Sequence, residues 1–323
     1  MIKAIFSVLT GIALIASSAL SWSQEFPTRA VRVVVPYSAG GPADIVARML
    51  AQRVTKQLGQ PVIIDNKLGA GGAIGLNAVA SAAPDGYVLL FTASPTFTIS
   101  PHITRSLPYD VFENFTPLIS VLDYANVLIV NSELPVNSVT ELVNYAKANP
   151  GKVTFSSAGV GTSNHLAGEL LATATGTKLV HVPYKGNAPA TMAVTTNEVT
   201  FFFDAGGTAM QQIKGGRVKG LAVTSAERNR MLPKLPTMME SGISNFEVVS
   251  WYAFFAPAKL PDAIGAKLIE KVKRVMAEPS VSEELAKQAF DVRVMTGSDF
   301  AARLKKEYGL YAKVVRDANV QKQ

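Results

Sequence analysis

Two stretches of small residues carry most of the chemistry available to this sequence. Residues 36–44 read Pro-Tyr-Ser-Ala-Gly-Gly-Pro-Ala-Asp, and residues 156–164 read Ser-Ser-Ala-Gly-Val-Gly-Thr-Ser-Asn. Each follows a short apolar run and leads into a helical pattern, so each is a strand-to-helix turn. A helix start has backbone N–H groups without intrahelical partners and the positive end of the dipole. Glycines let that backbone approach a ligand, and serine and threonine add hydroxyl donors of little bulk. Tyr37, Ser38, Ala39, Gly40 and Gly41 in the first turn are therefore candidates to hold an anion without Lys or Arg. Ser157, Gly161, Thr162 and Ser163 are the candidates in the second. Charge-assisted hydrogen bonds contribute roughly 1.5–3 kcal/mol each, against roughly 0.3–1 kcal/mol for an exposed helix dipole, so the donors outweigh the dipole. Either turn alone reads equally as an ordinary connection. Two at equivalent places in two α/β units point to one shared site.

Other positions are candidates of less specific type. Thr92 and Ser94, with Thr96, follow the third strand and would line the same cleft. Tyr184 tops a strand, where it either donates its hydroxyl to a ligand or packs as a loop aromatic. Asp204 ends the run Phe201-Phe202-Phe203 and either orients a ligand group or caps the turn through Ala205-Gly206-Gly207. Asp44 would repel an anion and is read as a cap or loop clamp. His165 falls in the first turn of its helix, where an imidazolium would oppose the dipole, and is read as neutral and structural.

Chemistry of other kinds is not indicated. His102 and His181 lack metal-ligand spacing and the chain has no Cys, so no metal site is expected. There is no Gly-x-x-x-x-Gly-Lys-[Ser/Thr] loop and no Gly-x-Ser-x-Gly elbow, and the glycines at 69–75 lack the dinucleotide-binding context. No nucleophile, base and orienting group come together, so no catalytic residue and no cofactor are assigned.

The elements that position the turns follow from periodicity. Residues 31–35 form a β-branched strand, and the helix after residue 44 carries Val46, Leu50, Val54 and Leu58 on one face. Strands at 62–64 and 87–92 and a small-residue helix at 76–82 complete a βαβαβ unit, which implies a mostly parallel sheet covered on both faces. A second unit starts again with strands at 153–155, 179–182, 199–203 and 218–223 and helices at 164–173 and 188–195. Strand-like runs lie at 126–130 and 252–256, and the chain is read as crossing to the second unit near residues 121–131 and returning near 245–255, two crossings that make a hinge. Helices at 262–277 and 298–318, the latter with Ser298 as N-cap, are expected to pack on the first unit.

The first residues are read as an address. Lys3 precedes an uncharged apolar run at 5–19 and then Ser21-Trp22-Ser23, with small residues at 21 and 23, the pattern of a cleaved secretory signal. That run is shorter than the roughly 20 residues that span a bilayer. The 323 residues carry a net charge of +7, reduced by one when Lys3 leaves with the signal. Lys and Arg are scattered without interleaved aromatics, so nucleic acid is not an expected partner.

Several segments together resemble, almost end to end after the signal, the extracytoplasmic receptors of the tripartite tricarboxylate transporter family. They are residues 34–44, Gly-Ala-Gly-Gly at 69–72, Ala-Pro-Asp-Gly-Tyr at 83–87, Leu-Pro-Tyr-Asp at 107–110, residues 157–169, Val-His-Val-Pro-Tyr-Lys-Gly at 180–186, residues 221–228 and Phe-Phe-Ala-Pro at 254–257. No one segment is decisive; the ordered set is specific. The resemblance implies a two-lobed, type II periplasmic-binding-protein fold joined by a two-crossing hinge. It implies a ligand carboxylate held by Tyr37, Ala39 and Gly41 from one lobe, with ordered waters, and by Ser157, Gly161, Thr162, Ser163, Tyr184 and Asp204 from the other. It implies capture of a small organic acid in the periplasm and delivery, as a monomer, to integral-membrane permease subunits. The expected division is a signal peptide at 1–23, one lobe at 24–126 plus 252–323, and the other at 127–251. Two rival readings remain: a periplasmic sensor subunit with the same binding, and an exported hydrolase or isomerase, for which no acid and base are found. The Ala205-Gly206-Gly207 stretch departs from the bulkier family pattern, so the ligand's identity does not transfer.

Overall fold

Alternating apolar strands and amphipathic helices dictate the first half of the architecture. The computed structural model describes residues 26–317 and Lys322, and the expected signal peptide and the last residue of the expected C-terminal helix lie outside them. Strand β1 (Val31–Val35) buries every residue but Arg32. Helix α1 (Pro42–Leu58) buries Val46, Leu50 and Val54 at helical spacing and stops at Gly59, whose φ of 71° continues no helix. Strand β2 (Val62–Asn66), helix α2 (Ala73–Ala80) and strand β3 (Val88–Ala93) follow, and β1 pairs in parallel with both β2 and β3. The helix expected at 76–82 thus begins three residues earlier, directly after a single 3₁₀ turn at Ala70–Gly72.

Two short helices, α3 (Pro95–Thr98) and α4 (Ser100–Ile103), lead to β4 (Phe115–Asn131), a strand of 17 residues. The second unit then runs α5 (Val139–Ala148), β5 (Val153–Ser157), α6 (Ser163–Thr175), β6 (Leu179–Pro183), α7 (Asn187–Thr195), β7 (Phe201–Ala205), α8 (Gly206–Lys214) and β8 (Val218–Val223). Here β5 pairs in parallel with β6 and β7. The chain ends with β9 (Val249–Pro257), α9 (Asp262–Met276), α10 (Pro279–Ala286), β10 (Asp291–Thr296) and α11 (Gly297–Asp317).

Strand β4 belongs to both sheets. From Phe115 to Ala125 it pairs antiparallel with β9, with β10 on its other edge. From Asn126 onward it pairs antiparallel with β7 and β8. The result is the two-lobed fold, with one mixed sheet per lobe: three parallel strands in each, completed by antiparallel strands from the crossing segments and the tail. Apolar residues cover both faces of each sheet. Strand β10, which periodicity missed, is a mostly exposed edge strand interrupted by a bulge. Ser298 is not an N-cap: α11 starts at Gly297, which puts Ser298 inside its first turn.

The tail helix locks onto the crossing strands through a mostly buried ionic chain. Arg303 Nη1 donates to Asp123 Oδ1 on β4 at 2.8 Å, and its Nε donates to Glu307 Oε1 at 2.7 Å. Glu307 Oε2 accepts from Trp251 Nε1 on β9 at 2.7 Å. Removing the cation would leave two carboxylates in a poorly hydrated seam, a change that costs roughly 3–5 kcal/mol in such sites. Arg293 stays near Asp123, at 3.4 Å, so Arg303→Ala should fall at the low end, about 3 kcal/mol. Urea unfolding measures it as a lower midpoint at unchanged slope. A loss below about 1 kcal/mol, the scale of an exposed pair, would contradict this account.

Candidate functional site

Four helix starts meet between the two sheets. Helix α1 begins after Gly41, α6 after Thr162, α7 after Gly186 and α8 after Ala205, and none of these residues caps its helix with a side-chain hydrogen bond. All four line one cavity between the sheets. Tyr124 and Asn126 of β4 and Tyr252 of β9 also line it, so the crossing strands form part of its wall. No lining residue carries a charge. Whatever charge enters is met by backbone amides, hydroxyls and carboxamides only.

A chain of neutral donors fixes the α6 turn. Asn164 Oδ1 accepts from the Ala158 N–H at 3.0 Å and from Thr162 Oγ1, while its Nδ2 donates to Asn187 Oδ1 at 3.2 Å. Asn187 Nδ2 in turn donates to Asp204 Oδ1. Asp204 is fully buried and also accepts from Thr208 Oγ1 at 2.6 Å and Thr191 Oγ1 at 3.0 Å. Burial pushes its carboxyl up to about 7, against those hydrogen bonds. Behind the turn, Ser157 Oγ accepts from the Gly159 N–H at 3.1 Å and bonds His181 Nε2 at 2.6 Å. Burial, helped by His165 stacked at 4.1 Å, lowers the His181 pKa to about 4. His165 itself is buried, and its Nδ1 accepts from the Gly161 N–H at 3.4 Å.

The α1 turn is held by a charged clamp facing away from the cavity. Asp44, 2% exposed, accepts from the Gly40 N–H and Arg48 Nε at 2.9 Å each and from Asn66 Nδ2 at 2.9 Å. Burial works against its ionisation, but the bonds from Arg48, Gly40 and Asn66 keep its carboxyl below the ordinary range. Asn66 Nδ2 also donates to the Tyr37 carbonyl at 3.0 Å. The Tyr37 ring is set by its hydroxyl, which bonds Thr92 Oγ1 at 3.2 Å and accepts from the Ala93 N–H at 3.3 Å.

The two lobes touch at glycines. A Cβ added at Gly161, where φ is +84°, would lie 2.6 Å from Ser100 Oγ, and one at Gly186 would lie 2.6 Å from Ser38 Oγ. Ile99 and Ile103 of the first lobe, Leu166 of the second, and Tyr311 and Val315 of α11 close one flank with a shared apolar cluster.

Of the residues singled out from sequence, Tyr37, Ser38, Gly41, Gly161, Thr162 and Ser163 line this cavity. Ala39 and Gly40 lie exposed on the outer side of their turn. Thr92 is buried one layer behind Tyr37, bonded to Thr96 at 3.0 Å. Ser94 is buried at the crossing, where its N–H donates to the Trp251 carbonyl at 2.9 Å. Ser157 and Asp204 stand behind the loops rather than in the cavity wall. Tyr184 lines a neighbouring groove, and its hydroxyl donates to Glu198 Oε1 at 2.8 Å. Sequence reasoning missed Tyr124, Asn126 and Asn187, and left Tyr252 open between aromatic ligand surface and core or hinge packing. Among the described residues there is no group of three or more His, Cys, Asp or Glu that could hold a metal ion, and no helix is long and apolar enough to cross a membrane.

Comparison with known proteins gives a consistent picture. The family described as tripartite tricarboxylate transporter family receptor matches residues 46–319. The structure of the periplasmic binding protein BugD superposes with a TM-score of 0.88 at 37% identity, covering 92% of this chain and all of that one. Rpa4515 of R. palustris, solved with adipate, gives a TM-score of 0.90 at 31% identity over 93% of this chain and all of that one. MatC (Rpa3494) from Rhodopseudomonas palustris, solved with bound malate, gives 0.84 at 30% identity over 90% of this chain and all of that one.

Buried Asp204 and half-buried His181 make opposite pH predictions. Between the ordinary 3.8 and about 7, Asp204 keeps a proton in the folded chain that the unfolded chain has released. Its stabilising contribution is present at low pH and is lost as pH rises to 7, on the order of 4 kcal/mol across the window. His181 runs the other way: between 6.5 and about 4 the unfolded chain takes a proton first, so stability is lost as pH falls. Asp204→Asn should therefore give a chain whose stability drops more steeply than wild type from pH 6.5 to 4. His181→Gln should give one whose stability drops from pH 4 to 7. Urea unfolding across this range reads both, and curves parallel to wild type would refute the assignment.

Proposed function

Because this chain belongs to the tripartite tricarboxylate transporter receptor family, we propose that it captures a small organic carboxylate between its lobes and delivers it to integral-membrane permease subunits. It is a solute-binding protein and not an enzyme. The observation that carries the carboxylate reading is the uncharged cavity ringed by four uncapped helix starts. Such a site suits a group that accepts several hydrogen bonds at once and brings its own negative charge. Adipate in Rpa4515 and malate in MatC support the same reading.

In this reading the Ser163 hydroxyl and the first N–H groups of α1 and α6 supply donors to the carboxylate, and Tyr37, Ser38, Gly41, Gly161 and Thr162 wall the cavity. Thr92, Ser157 and Asp204 position those groups from behind, Ala39 and Gly40 shape the first turn, and Ser94 steadies the crossing. Tyr184 faces the mouth. The lobes divide as residues 24–126 plus 252–323 and residues 127–251, a division supported by the change of sheet between Ala125 and Asn126 of β4. Periplasmic residence, with the N-terminal signal cleaved, is part of this reading and is supported by BugD, a periplasmic binding protein.

Titration calorimetry with a panel of organic acids tests the proposal. At least one acid should bind, and Thr162→Leu, which puts bulk at the carboxylate end, should weaken it at least 30-fold, about 2 kcal/mol, in a chain whose circular dichroism shows it still folded at the assay temperature. Undiminished affinity in that variant would mean that the acid sits elsewhere.

A further inference from the structure

Of the buried polar side-chain atoms without a hydrogen-bond partner among the described residues, Asn126 Oδ1 is the one on a residue that lines the cavity. The residue as a whole is 1% exposed. The side chain has little freedom to turn away. The Asn126 N–H donates to Thr224 Oγ1 at 2.9 Å, its carbonyl accepts from the Thr224 N–H at 2.9 Å, and its Nδ2 donates to Ser163 Oγ at 3.1 Å. Ser163 is the first residue of α6, so this acceptor stands beside the donors that meet the carboxylate.

A carboxylate cannot satisfy an acceptor; it brings only lone pairs of its own. A ligand that leaves Asn126 Oδ1 unpaired buries a polar atom without compensation, and one that places a donor there removes that penalty. Because the acceptor adjoins the carboxylate donors, the ligand's donor must lie close to its carboxyl group, on the carbon next to it. Two groups fit that position, a hydroxyl and an ammonium. No Asp or Glu lines the cavity, and Asp204 spends its oxygens on Asn187, Thr191 and Thr208. An ammonium would be a buried cation facing a carboxamide with no counter-charge beyond the ligand's own, which disfavours it strongly. A neutral hydroxyl meets no such objection.

We infer that Asn126 is a specificity-determining residue and that the ligand is a 2-hydroxy acid whose hydroxyl donates to Asn126 Oδ1. The inference rests on the carboxylate reading given above and sharpens it from any small acid to one substituted class. Malate, bound in MatC, carries such a hydroxyl and adipate, bound in Rpa4515, does not.

Calorimetry on the purified protein decides it with matched sets differing only at the 2-position: propionate, lactate and alanine; succinate, malate and aspartate; glutarate, 2-hydroxyglutarate and glutamate. Wild type is expected to bind the 2-hydroxy member of its preferred chain length at least about tenfold tighter than the unsubstituted acid, the ratio a single well-placed hydrogen bond gives. The 2-amino member should bind more weakly than the 2-hydroxy member. Asn126→Leu should bring the 2-hydroxy and unsubstituted acids within about threefold of each other by weakening only the former. Asn126→Asp, which supplies a counter-charge, should shift preference toward the 2-amino member. The wild-type comparison needs no variant, so it stands even if a variant folds poorly. Equal binding of hydroxy and unsubstituted acids, a preference for the amino acid, or a hydroxyl preference that survives Asn126→Leu would each overturn the inference. Binding of none of the acids would instead remove the carboxylate reading, and this inference with it.

Discussion

Neutralising a negative charge without a cation is the constraint from which the rest of this molecule follows. Amide and hydroxyl donors match a basic side chain only when several of them converge and are held in place beforehand. The second lobe achieves this with a directional chain that starts at the buried Asp204 carboxylate and passes through Asn187 and Asn164 to the Ala158 amide and the Thr162 hydroxyl. Each carboxamide gives its N–H toward Asp204 and turns its oxygen toward the loop. The first lobe uses a different device, the ion pair of Asp44 with Arg48, aimed outward so that its charges stay off the cavity. The two carboxylates thus serve an anion site without lining it.

Close approach of backbones is the second requirement, and it accounts for the placement of particular glycines. Where Gly161 meets Ser100 and Gly186 meets Ser38, a side chain would hold the lobes apart. Gly206 and Gly207 serve the same end on the far flank, where added Cβ atoms would lie 2.8 Å from Ala289 Cβ and Gln288 O. The small residues after Asp204 therefore admit residues of the first lobe against the start of α8.

Much of this was legible in the sequence, because the strands are short apolar runs and the helices carry clear 3.6-residue stripes. The two Gly/Ser turns announced themselves by composition. Their inner and outer sides did not, since turn direction depends on the Asp44 clamp and the Asn164 chain, which join residues far apart in sequence. Ser157 and Asp204 were visible as polar strand ends, yet nothing local says that they bond His181 and Asn187 rather than a ligand. Tyr124 and Asn126 were hidden, and Tyr252 left open, for another reason. They sit in long, almost continuously buried strands, where alternation is absent and a cavity-facing residue looks like core. Helix α5 had a readable start, since Ser138 Oγ accepts from the Glu141 N–H at 3.1 Å and Glu141 reaches back to the Asn137 N–H. Strand β10 had none: its exposed side chains follow no period of two.

The sharing of β4 also fixes an order of assembly. All other strands of the second sheet, β5 to β8, lie between residues 153 and 223, directly after the part of β4 with which β7 and β8 pair. That sheet can form from one contiguous stretch of chain. The first sheet cannot, because β3 and the early part of β4 wait for β9 and β10, more than a hundred residues later. Contacts that close long loops form slowly. A chain emerging from its N-terminus therefore holds an unfinished sheet edge until the tail returns to pair with it.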